Sequence, residues 1–290
     1  ADALLNAVVA GNGPNVVLSV GAGQPVDFAL RNAVEDLTQF DDYEEVLKEF
    51  VPSTYRQYML DDSLYALPET LFYNVMFYRK DILAELGLDI PETWADVKVA
   101  MTVLAKNQME FGMLPSEQIF AMLLYQNGGE YYTEDGSSSL LDSDIAVNTF
   151  KEYCEYYTDF KLDKETSVEE RFRTGECPII IADYTTYNNL VVSAPDIAGL
   201  WDFVPVPGTQ KDDGTIDRST GCTGLASIIM ADTEYPDACW QFLKWWTSAD
   251  VQGDFGVELE NILGAAGRYC PANREALERI PWAQETTKHF

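Results

Sequence analysis

Histidine is nearly absent from this chain: His289 is the only one in 290 residues. Ser–His–Asp and Cys–His engines need an imidazole, and histidine-rich metal sites need several, so both chemistries are set aside. Positive charge is scarce as well. Nineteen Lys and Arg face 48 Asp and Glu, a formal net charge of −29. Phosphate chains and anionic lipid are bound through Lys and Arg, which argues against nucleic acid and acidic membrane surfaces as partners. No apolar run approaches the ~20 residues that span a bilayer. The five cysteines, Cys154, Cys177, Cys222, Cys239 and Cys270, include no CxxC pair. They read as small buried hydrophobes rather than as a zinc ribbon or a dithiol redox motif. No cofactor or metal is implied, and there is no internal repeat.

What remains is a globular chain. Hydrophobic residues make up 47% and aromatics 12%, enough for a real core, and the length suggests about two domains. Strand-like and helix-like segments alternate, as in an α/β fold. Asp2–Ala10 has helical spacing and stops at Gly11-Asn12-Gly13-Pro14. Asn15–Val20 reads as a buried strand, Gly21-Ala22-Gly23-Gln24 as the loop beyond it, and Phe28–Val34 as a new helix. Tyr65–Tyr78 reads as extended chain and Arg79–Leu86 as a helix closed by Gly87. Thr93 is an N-cap with Asp96 three residues on, a capping-box pattern. Further helices are expected over Gln118–Gln126, Asp142–Asp159, Val168–Thr174 and Tyr235–Thr247. Strands are expected over Pro178–Ala182, Phe203–Gly208 and Leu225–Met230. Trp94, Trp240, Trp245 and Trp246 fall in or beside apolar helices and are expected to pack in the core. The acidic run Asp41-Asp42-Tyr43-Glu44-Glu45 lacks EF-hand spacing and reads as a solvated helix start. Glu134-Asp135-Gly136 reads as a turn.

Five blocks, in order, carry a resemblance. The first is Ala10-Gly11-Asn12-Gly13-Pro14-Asn15-Val16-Val17. The second runs from Leu64-Tyr65-Ala66-Leu67-Pro68 through Met76-Phe77-Tyr78-Arg79-Lys80-Asp81-Ile82-Leu83 and Leu86-Gly87-Leu88 to Pro91 and Thr93-Trp94. The third is Phe172-Arg173-Thr174-Gly175-Glu176-Cys177-Pro178-Ile179, and the fourth Val204-Pro205-Val206-Pro207-Gly208. The fifth joins Gly221–Ile228, the Ala238–Ser248 helix and Gly267–Asn273. Together they resemble the family 1 extracellular solute-binding proteins of ABC importers, the group that includes maltodextrin-binding proteins. Asn15 stands where that family usually has Asp, and Arg79 where Asn is common.

The resemblance implies a two-lobed α/β fold of the type II periplasmic-binding-protein kind, each lobe a sheet flanked by helices, with a ligand cleft between lobes. Lobe one would be 1–70 plus 222–275 and lobe two 75–217 plus 276–290, with hinge crossings near 68–75 and 217–221. Such proteins begin with a further strand, helix and strand and end with further helices. The resemblance therefore implies a chain truncated at both ends, its targeting segment already removed.

Ligands of open α/β sheets bind beyond the carboxyl ends of strands. Carried over from the resemblance residue by residue, the ligand-binding candidates are Gly21, Gly23 and Gln24 in the first loop, and Glu69, Phe72 and Tyr73 on the hinge segment. Gln118 stands at a helix start, and Asp183, Tyr184 and Tyr187 follow an Ile-rich strand. Gly221, Cys222 and Thr223 stand at the re-entry into lobe one, and Arg268 and Tyr269 before Pro271. Phe72 and Tyr73 are adjacent in extended chain, so one should face inward and one outward. Aromatic faces stack on sugar rings while carboxylates, amides and a guanidinium bond the hydroxyls, which makes carbohydrate the leading ligand. Peptides and polyamines are alternatives. The implied role is a non-enzymatic receptor that closes on its ligand and delivers it to permease subunits. It would act as a monomer in the periplasm or lipid-anchored on the outer face of the membrane. A sensory or scaffold domain of a larger protein is the alternative, and a two-carboxylate glycosidase a more distant one.

Overall fold

The structure, a computed structural model, describes residues 11–280. The helix expected over Asp2–Ala10, and His289, lie outside those residues. The described chain divides into two compact units, 11–72 with 222–280 and 73–221. Both mix helices with sheet, so the α/β class is the one expected from the sequence. Residues 276–280, expected with the second lobe, belong to the first unit. The helix Arg274–Arg279 runs there beside the helix Ala249–Leu263, with Ile280 so close to Gly256 that a Cβ on that glycine would sit 2.8 Å from it.

In the first unit three antiparallel strands form a sheet, with Leu225–Ile229 between Val16–Gly21 and Leu67–Pro68. Val16, Val17, Val20 and Gly21 face Ile229, Ile228, Ala226 and Leu225, so Leu18 and Ser19 together stand opposite Ser227 alone. That is a β-bulge. The helix Pro236–Trp246 buries Cys239, Trp240 and Leu243, one face at helical spacing. Trp240 stacks on Phe40 with centroids 4.8 Å apart, and its indole N–H donates 2.6 Å to Asp42. The acidic run at 41–45 is thus the start of a helix, Tyr43–Leu47, with Asp42 tied inward. Trp245 departs from expectation. It is 55% exposed, because it lies on the face of its helix opposite Trp240 and Leu243. The helix expected over Phe28–Val34 forms earlier, at Gln24–Ala29, with Pro25 in its first turn.

In the second unit the strand Phe72–Arg79, from Tyr73 onward, is the central one. It is antiparallel to Ile179–Asp183 on one side and to Trp201–Pro205 on the other, and Phe111–Gly112 joins Ile179–Asp183 in parallel. Residues 75–78 are all buried, as befits a strand covered on both faces. The helix Trp94–Lys106 starts at the expected capping box, Thr93 with Asp96, and buries Trp94, Val97, Met101 and Leu104. Trp94 donates its indole N–H to the buried Gln126 at 2.7 Å. Glu134-Asp135-Gly136 is the expected turn, with Gly136 at φ +66 and Asp135 accepting from Thr133 and Ser137.

Arg79, the departure from the family pattern, closes the central strand. It is 7% exposed and forks onto Asp81 at 2.9 and 2.6 Å. Its remaining nitrogen donates to the carbonyls of Phe172 and Arg173 at 3.3 and 3.2 Å, at the negative end of the helix Val168–Thr174, where Phe172 O also accepts the Gly175 N–H. Lysine has the charge but not the planar fork. Arg79→Lys is expected to cost about 1–3 kcal/mol of stability in urea denaturation. An unchanged midpoint would show that the fork contributes nothing.

Candidate functional site

The first unit carries Gly23, Gln24, Glu69, Phe72, Cys222, Thr223, Arg268 and Tyr269. Gly21 and Gly23 line a loop with open space around them, since a Cβ on either would meet nothing within 4 Å. Gln24 is half-buried at the start of its helix. Gly224 shows the opposite case: a Cβ there would sit 2.0 Å from the Thr70 carbonyl oxygen, so the backbone approach after Cys222 and Thr223 requires glycine. The chain from Tyr269 lies beside the Glu69 segment. Leu71 N–H donates to Cys270 O and Ala272 N–H to Glu69 O, both at 2.9 Å.

Two charged candidates of this unit are engaged internally. Glu69 is 4% exposed. It accepts from the Ser19 N–H at 2.8 Å, the Ser19 hydroxyl at 3.3 Å and the Ser227 hydroxyl at 2.5 Å. Arg268 is forked onto Glu260, with Nε 3.0 Å from one oxygen and Nη2 on the other. The Tyr269 hydroxyl donates to Gln252 Oε1 at 2.6 Å. Burial, followed by the negative charge of Glu69, pushes this hydroxyl's pKa far up and keeps it protonated. Tyr58, fully buried near the same carboxylate, is raised likewise, chiefly by burial.

The second unit carries Tyr73, Gln118, Asp183, Tyr184 and Tyr187, with Gly221 exposed at its end. Tyr184 is 1% exposed and stacks on Tyr73 with centroids 5.3 Å apart. Its N–H donates to Tyr73 O at 3.1 Å. Tyr187 lies edge-on to Trp201 at 5.4 Å and to Phe203 at 5.9 Å. These rings, expected on a ligand-facing loop, pack within their own unit, because the chain turns into the helix Thr186–Ser193 immediately after the strand. The alternation expected for Phe72 and Tyr73 does not separate them by burial, as both are half-buried. Gln118 is exposed in the first turn of the helix Glu117–Gln126, which Ser116 caps.

Asp183 ends its strand beside Asn74 of the central strand. Its Oδ1 accepts the Thr185 N–H at 2.9 Å, an Asx-type turn into the next helix. Burial raises its pKa, partly opposed by Thr185. Ser19 and Ser227 escaped the sequence reading. The available signal was a single serine inside each of two otherwise apolar strands, Val16–Gly21 and Leu225–Ile229.

Among the described residues no group of His, Cys, Asp and Glu is placed to hold a metal ion. No described helix is long and apolar enough to cross a membrane.

Known proteins resemble this chain in sequence and fold. A family model described as bacterial extracellular solute-binding protein matches residues 1–253. An arabinooligosaccharide-binding protein of Halalkalibacterium halodurans is 23% identical over 273 residues, 90% of this chain and 60% of that protein. A maltotriose-binding protein of Pyrococcus abyssi is 26% identical over 255 residues, 85% of this chain and 53% of that one. The chain thus spans little more than half the length of these relatives. The solved structure of the sugar-binding protein MalE from Xanthomonas citri matches with a TM-score of 0.76 at 20% identity, over 96% of this chain and 70% of that one. At that identity the match speaks for the fold.

Asp183 yields a prediction with a definite sign. An acid raised on folding costs stability once ionised, fully above its folded pKa, and the cost vanishes as pH falls below the unfolded value near 3.8. Asn keeps the oxygen that accepts from Thr185. Asp183→Asn is expected to melt higher than wild type at pH 7, with the gap closing toward pH 4. A gap that stays constant with pH would show that desolvation of the carboxylate is not its cause.

Proposed function

The chain belongs to the bacterial extracellular solute-binding proteins, and we propose that it captures a carbohydrate, an oligosaccharide by preference, for an ABC importer. The observation that carries the reading is the family match over 1–253, with both curated relatives above described as oligosaccharide binders. The chain's own chemistry supports it. Glu69 and Arg268, the charges that would select a charged ligand, are satisfied inside the first unit. The remaining candidates offer open glycine backbone, the amides of Gln24 and Gln118, the hydroxyl of Thr223 and one carboxylate, Asp183. That set suits a neutral polyol, whose hydroxyls both donate and accept. It offers an anionic ligand no free guanidinium at the candidate positions.

In this reading the lobes are 1–70 with 222–275 and 75–217, hinged near 68–75 and 217–221, and 276–280 go with the first. A ligand touching both lobes binds the closed state better and shifts the population toward it. Permease subunits would recognise that state. The protein acts as a binding component rather than a catalyst, as a monomer outside the cytoplasmic membrane, there lipid-anchored or periplasmic.

A thermal-shift screen against neutral oligosaccharides, acidic oligosaccharides, peptides and polyamines tests the proposal. At 100 times its dissociation constant, a ligand of the native state adds about 2.7 kcal/mol of stability. The expected result is a shift with a neutral oligosaccharide that is recovered uncleaved. A shift confined to polyamines or peptides would overturn the carbohydrate reading, and recovery of cleaved glycan would overturn the receptor reading.

A further inference from the structure

We propose that Glu69 is a positioning residue: its buried carboxylate holds the bulge at Leu18–Ser19 in the conformation that presents the Gly21–Gln24 loop to ligand. The functional half of this rests on the receptor reading above. A bulge leaves the N–H of its extra residue without a partner in the strand ladder, and a buried carboxylate needs donors. Here Ser19 is that residue, and its N–H goes to Glu69 Oε1 at 2.8 Å. Ser19 also sits at φ +55, a left-handed conformation uncommon for a non-glycine residue; the other non-glycine residues that adopt it among the described ones lie in turns or loops, and Ser19 alone lies in a strand. The carboxylate also takes the Ser19 hydroxyl and, across the central strand, the Ser227 hydroxyl.

Glu69 is well placed to act as this clasp. It follows directly on Leu67–Pro68, which pairs with Ser227 and Ala226, and its own N–H donates to Leu225 O at 2.8 Å. One side chain therefore joins all three strands of the sheet. Its three donors, one backbone N–H and two hydroxyls, are all neutral. In the bulged register the Ser19 N–H and hydroxyl both reach the carboxylate. Beyond the bulge the ladder resumes at Val20–Ala226 and Gly21–Leu225, and Gly21 leads straight into the loop. A slip of one residue would turn the buried Val20 to the other face and move that loop with it.

Hydrogen exchange across 16–24 in the full chain, with affinity for maltotriose and for an arabinan trisaccharide by calorimetry, tests this. Glu69→Ala removes the acceptor. Glu69→Gln keeps one oxygen for the Ser19 N–H and the Ser227 hydroxyl. Leu37→Ala opens a cavity in the core of the same unit and removes none of the hydrogen bonds to Glu69. Glu69→Ala is expected to speed exchange across 16–24 about tenfold or more and to weaken sugar binding by a similar factor, the effect of one charge-assisted hydrogen bond. Glu69→Gln should stay within about threefold of wild type, and Leu37→Ala should lower the melting temperature without the affinity loss. Ser227→Ala, which drops one donor, gives a milder form of the exchange effect should Glu69→Ala fail to fold. Unchanged exchange across 16–24 in the Glu69 and Ser227 variants, or equal affinity losses in Leu37→Ala and Glu69→Ala, would overturn the proposal. If neither sugar binds wild type, the carbohydrate reading is what falls, and exchange still decides whether Glu69 holds the bulge.

Discussion

A polar group taken out of water must find its partners inside, and in this chain that constraint joins segments that sequence keeps far apart. Glu69 draws together Ser19 and Ser227. Arg79 ties the end of the central strand to the end of a helix more than ninety residues later. Gln126 accepts from Trp94 and donates to the carbonyls of Pro207 and Ser219. Asn273 caps its own helix and donates to Glu49 and Thr247 O. Hydrophobic burial supplies most of the drive to fold but little direction. These clasps supply direction, because each is expensive to leave unmade and is satisfied in one arrangement.

The same constraint explains where the acidic excess goes. Most carboxylates stay at the surface, and several of the inward ones are held by neutral donors: Asp36 by Ser63 and Thr38, Asp183 by Thr185, Glu69 by serines. Arginine forks onto a carboxylate at Arg79 and Arg268. With 19 basic residues to 48 acidic ones, full pairing was never available, and hydroxyls and backbone N–H groups take the remainder.

Patterns within a dozen residues were legible from the sequence: the capping box at Thr93, the Ile-rich strand before Asp183, the turn at Gly136 and the apolar face of the Pro236–Trp246 helix. Trp245 misled because composition marks a residue as apolar without saying which face of its helix it occupies. The site was less legible, since its residues are defined by long-range partners. Arg268 and Glu69 look like ligand-binding charges in sequence and are engaged by Glu260, Ser19 and Ser227 in space. Tyr184 follows a strand, where loops usually carry function, yet its ring has already folded back onto Tyr73. A lone serine in an apolar strand marks a position but not a bulge, and so Ser19 went unread.

The topology of the first unit has a consequence for the order of assembly. Its middle strand, Leu225–Ile229, is made about two hundred residues after the edge strand Val16–Gly21 that pairs with it. The described part of the second unit, by contrast, is one unbroken stretch, 73–221. Contacts between distant segments carry a loop-closure cost, and that cost is smaller once the intervening chain is compact. The second unit can therefore collapse while the Val16–Gly21 strand still waits for its neighbour, and its folding brings the two ends of the first unit within reach. During that wait an apolar strand edge stands open, a window in which a helper that binds extended chain, or a misplaced strand from another copy, competes with Leu225–Ile229.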